Sequence, residues 1–292
     1  MDLLRIAWRN VGRNPRRSVL SALAVAFAVG ILIFSMALQK GSYADMIHNV
    51  VHARTGNLQV QHPAYGPDMD LSKKLVRPHE VLQLVETTPG VRAAAPRVQA
   101  AALISVGNRT FGALVQGIDP VQEPAVSTLA DVVGEGRFLR PDERDGVLVG
   151  EALARNLGIS LGDELVFLGQ GADGSIAAGT LFVRGLFKTG IAELDRALTA
   201  AHIDTVGEAF SLYDAVSEVA VLLENDRIRP VAAAALATAL RDAGRGENAA
   251  VVEWPVLMPG VEESIRMDWY SGQIIYVVLV LVVGFGIANT FL

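Results

Sequence analysis

The first motif with chemical potential is Gly169-Gln170-Gly171-Ala172-Asp173-Gly174, which has the Gly-x-Gly-x-x-Gly spacing of dinucleotide-binding turns. In those turns the pyrophosphate rests on the N-terminus of the helix that follows. Here Leu181 to Arg184 reads as a strand, so no helix follows to receive a phosphate, and the segment is expected to be a hairpin tip. No Gly-x-x-x-x-Gly-Lys-Ser/Thr run occurs, which excludes ATP binding through a P-loop. His48 and His52 are four residues apart, a spacing that can present two imidazoles to zinc. The glutamate of a His-Glu-x-x-His site is replaced by Asn49, and no third ligand is near, so a solvated helix face accounts for the pair. His62, His79 and His202 are isolated. Gly158-Ile159-Ser160-Leu161-Gly162 has the Gly-x-Ser-x-Gly spacing, but it falls in a turn read between a helix and a strand, not on the strand-to-helix elbow that exposes a nucleophile. Asn108-Arg109-Thr110 matches a glycosylation acceptor, and a turn explains it equally well. The sequence therefore predicts no catalytic residue, no metal and no cofactor, and an enzyme is the least favoured class.

The elements that would carry such groups are dominated by two uncharged runs. Val19 to Leu38 and Gln273 to Leu292 each extend for 20 residues without an ionisable side chain. A helix needs about 20 apolar residues to cross a bilayer, and the mean hydropathy of the chain, +0.36, is raised by these two segments. The first run is longer than the ~7–15 residues of a signal-peptide core and reads as an uncleaved anchor. A soluble core helix rarely stays apolar on every side for so long. With no charge in either span, an ion or proton path through them is not expected.

Charge sets the expected orientation. Residues 1–18 hold five arginines against Asp2, and basic residues beside a span favour the cytoplasm. The N-terminus is thus expected inside and residues 39–272 outside. That long segment carries a net charge of −10, which argues against nucleic acid as a partner. With no cysteine, it must be stable on packing alone.

Residues 2–17 read as an amphipathic interfacial helix, with Leu3, Leu4, Ala7, Trp8 and Val11 sharing one face. Arg5, Arg9, Arg13, Arg16 and Arg17, with Trp8, would contact the anionic membrane surface. Asn14-Pro15 marks the turn into the first span. Helical spacing continues outward through Tyr43, Met46, Ile47, Val50 and Val51, and again over Val261 to Tyr270, suggesting a paired stalk. Phe27, Ile31, Phe34, Met46 and Val50 could line a groove for acyl chains; ordinary lipid or helix packing is the plainer account.

Between the stalk helices lie two strand–helix–strand units. The first has a strand at Leu58 to Gln61, a helix from Pro78 to Thr87, and strands Val91 to Val106 and Arg109 to Ile118 joined by a Gly107-Asn108 turn. The second has a strand at Glu218 to Glu224, an alanine-rich helix from Pro230 to Ala243 and a strand from Ala249 to Leu257. Two such units suit a split βαβ domain with its helices on one face. Residues 121–212 form an insert with strands at Gly146 to Gly150, Glu164 to Leu168 and Leu181 to Phe187, and a helix at Glu151 to Asn156.

Several segments together resemble a known family. Leu4-Arg5-Ile6-Ala7-Trp8-Arg9-Asn10 with Arg13-Asn14-Pro15-Arg16-Arg17 resembles the opening of FtsX/MacB-type ABC transporter permeases. Thr55 to Val60 is similar to the first periplasmic strand of their lipoprotein-releasing (LolC/LolE) branch. Gln116-Gly117-Ile118-Asp119-Pro120, Gly136-Arg137-Phe138-Leu139 and Leu148 to Ala154, with Leu157-Gly158 and Gly162-Asp163, look like the periplasmic core. Gly284 to Thr290 looks like the second span.

The resemblance implies an α+β protein of the bacterial inner membrane. Residues 1–18 would be a cytoplasmic helix, 19–38 and 273–292 the spans, and 39–53 and 259–272 the stalk. Residues 54–120 and 213–258 would form a Porter-like periplasmic domain, and 121–212 an inserted, β-rich Sabre-like subdomain. It further implies a cytoplasmic ABC ATPase partner, a second permease copy or paralogue, and a lipoprotein substrate with a periplasmic carrier. Motion would pass from ATPase to periplasm along the stalk. Family members continue with a coupling helix and two more spans, whereas this sequence stops at Leu292, so the ATPase-coupling half is expected to be missing here. A MacB-type exporter of peptides or small amphiphiles and a non-transporting sensor or scaffold of envelope enzymes are the alternative readings.

Overall fold

The computed structural model describes residues 15–66 and 68–291. The chain divides into two compact units, residues 1–48 with 258–292 and residues 49–257.

The first unit is built from α1 (Pro15–Val50) and the C-terminal helix Pro259–Phe291. Each begins with proline, which is pre-set for the first helical position and lacks an N–H that would otherwise go unpaired. Both are long and apolar enough to cross a membrane. Arg16 is exposed in the first turn of α1, with Arg17 beside it in the chain. Arg5, Trp8, Arg9 and Arg13, and with them the interfacial helix, lie outside the described residues.

In the second unit β1 (Leu58–Gln61) comes first, a short β2 (Leu75–Val76) follows, and α2 (Pro78–Glu86), β3 (Val91–Val106) and β4 (Arg109–Ile118) come next. Apart from β2 they match the expected first strand–helix–strand unit closely. Next come α3 (Glu123–Val126), β5 (Val133–Gly136), β6 (Gly146–Gly150), α4 (Glu151–Leu157), β7 (Glu164–Gln170) and β8 (Ile176–Phe187). Then follow α5 (Ala192–Ala197), β9 (Leu198–His202), α6 (Ile203–Ala209), β10 (Ala215–Val216), β11 (Glu218–Leu223), α7 (Arg229–Asp242), β12 (Ala250–Glu253), α8 (Trp254–Leu257) and the C-terminal helix, α9.

The four strands of the two βαβ units interleave in the order β12-β1-β11-β3, all antiparallel. Helices α2 and α7 bury Val81, Val85, Leu236 and Leu240 with Leu58, Val60, Val219 and Val221 of the sheet. One expectation is corrected: the strand from Ala249 ends at Glu253. Pro255 has no N–H to offer a ladder and a φ suited to a helical start, so the chain turns into α8 at once.

The strands of residues 121–212 join the same sheet. β4 pairs with β9, β9 with β6, β6 with β8, β8 with β7, and β7 returns to β3. The ladder β3-β4-β9-β6-β8-β7 therefore closes on itself. Its interior is filled by Ile104, Val115, Val147, Val149, Phe167, Leu181, Val183 and Ala201. The Gly-rich segment at 169–174 is the tip of the β7–β8 hairpin, as expected, with Gly174 at φ +82°.

Candidate functional site

No pair of side chains poised for bond chemistry stands out among the described residues. The concentrated polar structure lies where the chain enters the domain from α1. There the helix widens into a π-helical turn, Val51–Thr55, closed by a Gly56 N–H to Val51 carbonyl bond of 2.8 Å. Such turns are rare and recur at functional positions. Gly56 sits at φ +67°, and a Cβ there would fall 2.7 Å from the carbonyl oxygen of Val221. Glycine is required both for the left-handed backbone and for the close approach of β11.

Two backbone carbonyls of this turn are fastened to the domain. The His52 carbonyl accepts from the Thr128 N–H at 2.9 Å, and the Arg54 carbonyl accepts from Nη1 of Arg97. Arg97 also donates from Nε and Nη2 to the two oxygens of Glu123 at 3.0 and 2.6 Å, a bidentate pair of the strong kind. Glu218 faces Arg97 across the β11–β3 ladder, with 3.9 Å between Arg97 Nη1 and Glu218 Oε1. The same Oε1 accepts from Gln99 at 2.7 Å and Gln59 at 3.2 Å. Ser217 donates to the Arg97 carbonyl and accepts from the Gln99 N–H, and the Tyr65 hydroxyl donates to the Gln99 carbonyl.

All of these side chains are buried; those of Arg97 and Glu123 are each 1% exposed. Burial pushes the Glu218 carboxyl up to about 7, against the lowering pull of the Arg97 charge. Burial also opposes the charge on Arg97, but Glu123, and behind it Glu218, outweigh that and hold its pKa above the ordinary value. The Tyr65 hydroxyl is raised, by burial first and by Glu218 second.

The exit of the chain is tied to its entry. The Asn57 carbonyl accepts from the Trp254 N–H at 3.2 Å, and Asn57 Nδ2 and Trp254 Nε1 both donate to Oδ1 of Asp226. Arg229 grips the other Asp226 oxygen at 2.6 Å, pairs with Glu253 at 2.8 Å and lies 5.4 Å above the Trp254 ring. The two ends of the domain are thus one hydrogen-bonded neck.

Within the helical unit a separate clasp joins α1 to α9. Gln39 Nε2 donates to Asp268 at 3.0 Å, the Tyr43 hydroxyl to Asp268 at 2.6 Å, and the Tyr276 hydroxyl to Gln39 at 3.0 Å. These residues recur at four-residue spacing and so share a helix face. Gly272 lies between them, with Gln39 filling the space that a Cβ would need.

Of the groove residues expected from sequence, Phe27, Ile31, Phe34 and Met46 are exposed, whereas Val50 is buried in the domain beside the π-helical turn. Arg97, Glu123 and Glu218 were not anticipated. For Arg97 and Glu218 the signal was present as charges inside otherwise apolar strands and as the alternation Gln59-x-Gln61 and Arg97-x-Gln99; Glu123, in the short helix α3, carried none. Alternation alone, however, assigns polar residues to a solvated face.

Comparison with known proteins follows the same outline. A curated relative, the lipoprotein-releasing system transmembrane protein LolC of Neisseria meningitidis, is 25% identical over 92% of this chain and 62% of its own length. The LolE protein of Haemophilus influenzae is 22% identical over 56% of this chain and 39% of its length. The chain therefore spans less than two thirds of either relative. The crystal structure of the periplasmic region of MacB from Actinobacillus actinomycetemcomitans covers 71% of this chain and 94% of its own, at 14% identity and a TM-score of 0.51, which supports a shared fold. The resemblance to FtsX/MacB-type permeases read from the ordered motifs holds in these matches. Residues 18–242 match the MacB-like periplasmic core domain, and the chain belongs to that family.

Proposed function

We propose that this chain is the membrane-anchored, motion-transmitting part of an ABC transporter permease, and that its substrates are lipoproteins. The N-terminus would lie in the cytoplasm and residues 39–272 in the periplasm. A cytoplasmic ATPase and a second permease copy or paralogue would complete the assembly. The observation that carries this reading is the joint at Arg54: the π-helical turn that follows α1 in the chain is held by Arg97, which also grips Glu123 of α3 and faces Glu218 of β11. Motion that reaches this turn would then be delivered to the sheet. The clasp at Asp268 gives the two helices a shared movement. The lipoprotein assignment rests on the relatives' names and on the length of this chain that they match.

The test is reconstitution in proteoliposomes of the complete complex containing this chain, with a fluorescent lipoprotein and a soluble acceptor. ATP-dependent release is expected, and Arg97→Met should lower release more than ATP hydrolysis. Failure of any P-loop ATPase to co-purify, or release that proceeds without hydrolysis, would overturn the proposal.

A further inference from the structure

The closed ladder leaves one edge open. β4 pairs with β9 only from Leu114 to Ile118, while Arg109 to Ala113 pair on their other side with β3 alone. Val106 and Arg109 flank a two-residue turn and form the hydrogen-bonded pair that closes it. Residues 109, 111 and 113 therefore bond to β3. Thr110 and Gly112 direct their N–H and C=O groups away from it, in line with the groups that Leu114 directs toward β9. Both residues are exposed.

Beside this edge the outer face of the ladder is apolar. Cross-strand register places Ala101, Leu103, Gly112, Leu114, Val166, Leu168, Ala178 and Ile176 on the side opposite the filled interior. A groove of about 660 Å³ runs across it, floored by small residues of β3, β4 and β7 and rimmed by Met69, Leu103, Leu168 and Ala197. Leu103, Leu168, Val166 and Ile176 are 50%, 47%, 40% and 81% exposed.

We infer that this edge and groove form a binding site for one extended polypeptide segment, which adds as a strand to Thr110–Gly112 and lays alternate small apolar side chains into the groove. The two features share Gly112, and together they ask for a ligand bearing both backbone amides and apolar side chains. An alkyl chain would leave the Thr110 and Gly112 amides unanswered. A second folded copy is disfavoured by size: the four exposed side chains offer roughly 400 Å², half of the ~800 Å² per partner of a standard stable interface. Absence of charge on the groove fits an uncharged segment. This site is independent of the cargo proposed above.

The probe is acetyl-Thr-Val-Thr-Val-Thr-Val-Thr-amide, titrated calorimetrically into the full chain in nanodiscs, with amide hydrogen exchange as a second readout. Saturable binding is expected, with protection of the Thr110 and Gly112 amides. A peptide N-methylated on alternate residues, on the edge that meets β4, should bind at least tenfold more weakly. Gly112→Pro, which removes only an outward N–H, should do the same without changing the melting temperature. If that variant fails to fold, the N-methylated peptide on the native chain decides alone. Equal binding of the N-methylated peptide, or no saturation at millimolar peptide, overturns the site. So does competitive displacement by decanoate at lower concentration than the peptide, or a self-association that Leu103→Asp abolishes.

Discussion

Replacing Arg97 by methionine removes the buried cation that pairs with Glu123 while keeping most of its volume. Glu123, 1% exposed, would then lose its bidentate partner, and the Arg54 carbonyl would lose its donor. Breaking a buried pair from one side costs about 3–5 kcal/mol, a large part of the ~5–15 kcal/mol that stabilises a domain. Adding Glu123→Leu should return most of that loss, because the charge left stranded is gone as well. At pH 6 Glu218 does not complicate the comparison. Its carboxyl, already raised to about 7, rises further once Arg97 no longer lowers it, and so stays protonated. The assay is guanidinium unfolding of the full chain in micelles, with Trp8→Phe and Trp269→Phe so that buried Trp254 alone reports. At a slope of ~4 kcal/mol/M, a loss of 4 kcal/mol moves the midpoint down by about 1 M. The reasoning is refuted if Arg97→Met costs under about 1 kcal/mol, or if the double variant is as unstable as the sum of its parts.

Glu218 makes stability depend on pH. Its native carboxyl holds a proton more tightly than the ordinary value of 4.5, so its contribution is complete below pH 4.5 and is lost as pH rises through about 7. That fall is on the order of 3 kcal/mol at most, and Glu218→Gln should flatten this part of the stability-against-pH curve measured by thermal melts. Gly56→Ala should cost about 2 kcal/mol or more through positive φ and the Val221 carbonyl, whereas Gly66→Ala, with positive φ but open space around it, should cost only about 1; melting temperatures measured side by side distinguish them. Because the chain has no cysteine, Gln39→Cys with Gly272→Cys should give a disulfide under mild oxidation, seen as a mobility shift on a gel, and Leu38→Cys with Gly272→Cys should not.

Much of the scaffold was legible because local rules agree with it. The β3–β4 hairpin is readable to the residue, since Gly107-Asn108 breaks two alternating runs and nothing tertiary competes. Pro78 and Pro230 announce α2 and α7 for the same local reason. The closure of β7 onto β3 was not legible, as it depends on pairing residues more than sixty positions apart and no turn dictates it. The joint was hidden by a different conflict. Gln59, Arg97, Gln99 and Glu218 obey the period of two but face inward, because α3, the Tyr65 loop and the π-helical turn cover a sheet face that the pattern assigns to solvent.

That inversion bears on function. A buried ion pair is a poor way to gain stability, since well-packed apolar residues of similar volume commonly do as well or better. What Arg97 supplies that methionine cannot is direction: a planar guanidinium bonded to Glu123 on one side and to the Arg54 carbonyl on another fixes where the π-helical turn sits relative to β3. A hydrophobic joint of equal strength could slide by a rotamer change; this one must break charge-assisted bonds to move. The Arg97→Met/Glu123→Leu chain therefore separates the two roles. If it melts like the native protein yet loses the coupling between ATP hydrolysis and release, the joint serves transmission. If coupling survives with the stability, the joint is only a packing solution, and the proposed transmission would have to run through Asn57, Asp226 and Trp254 instead.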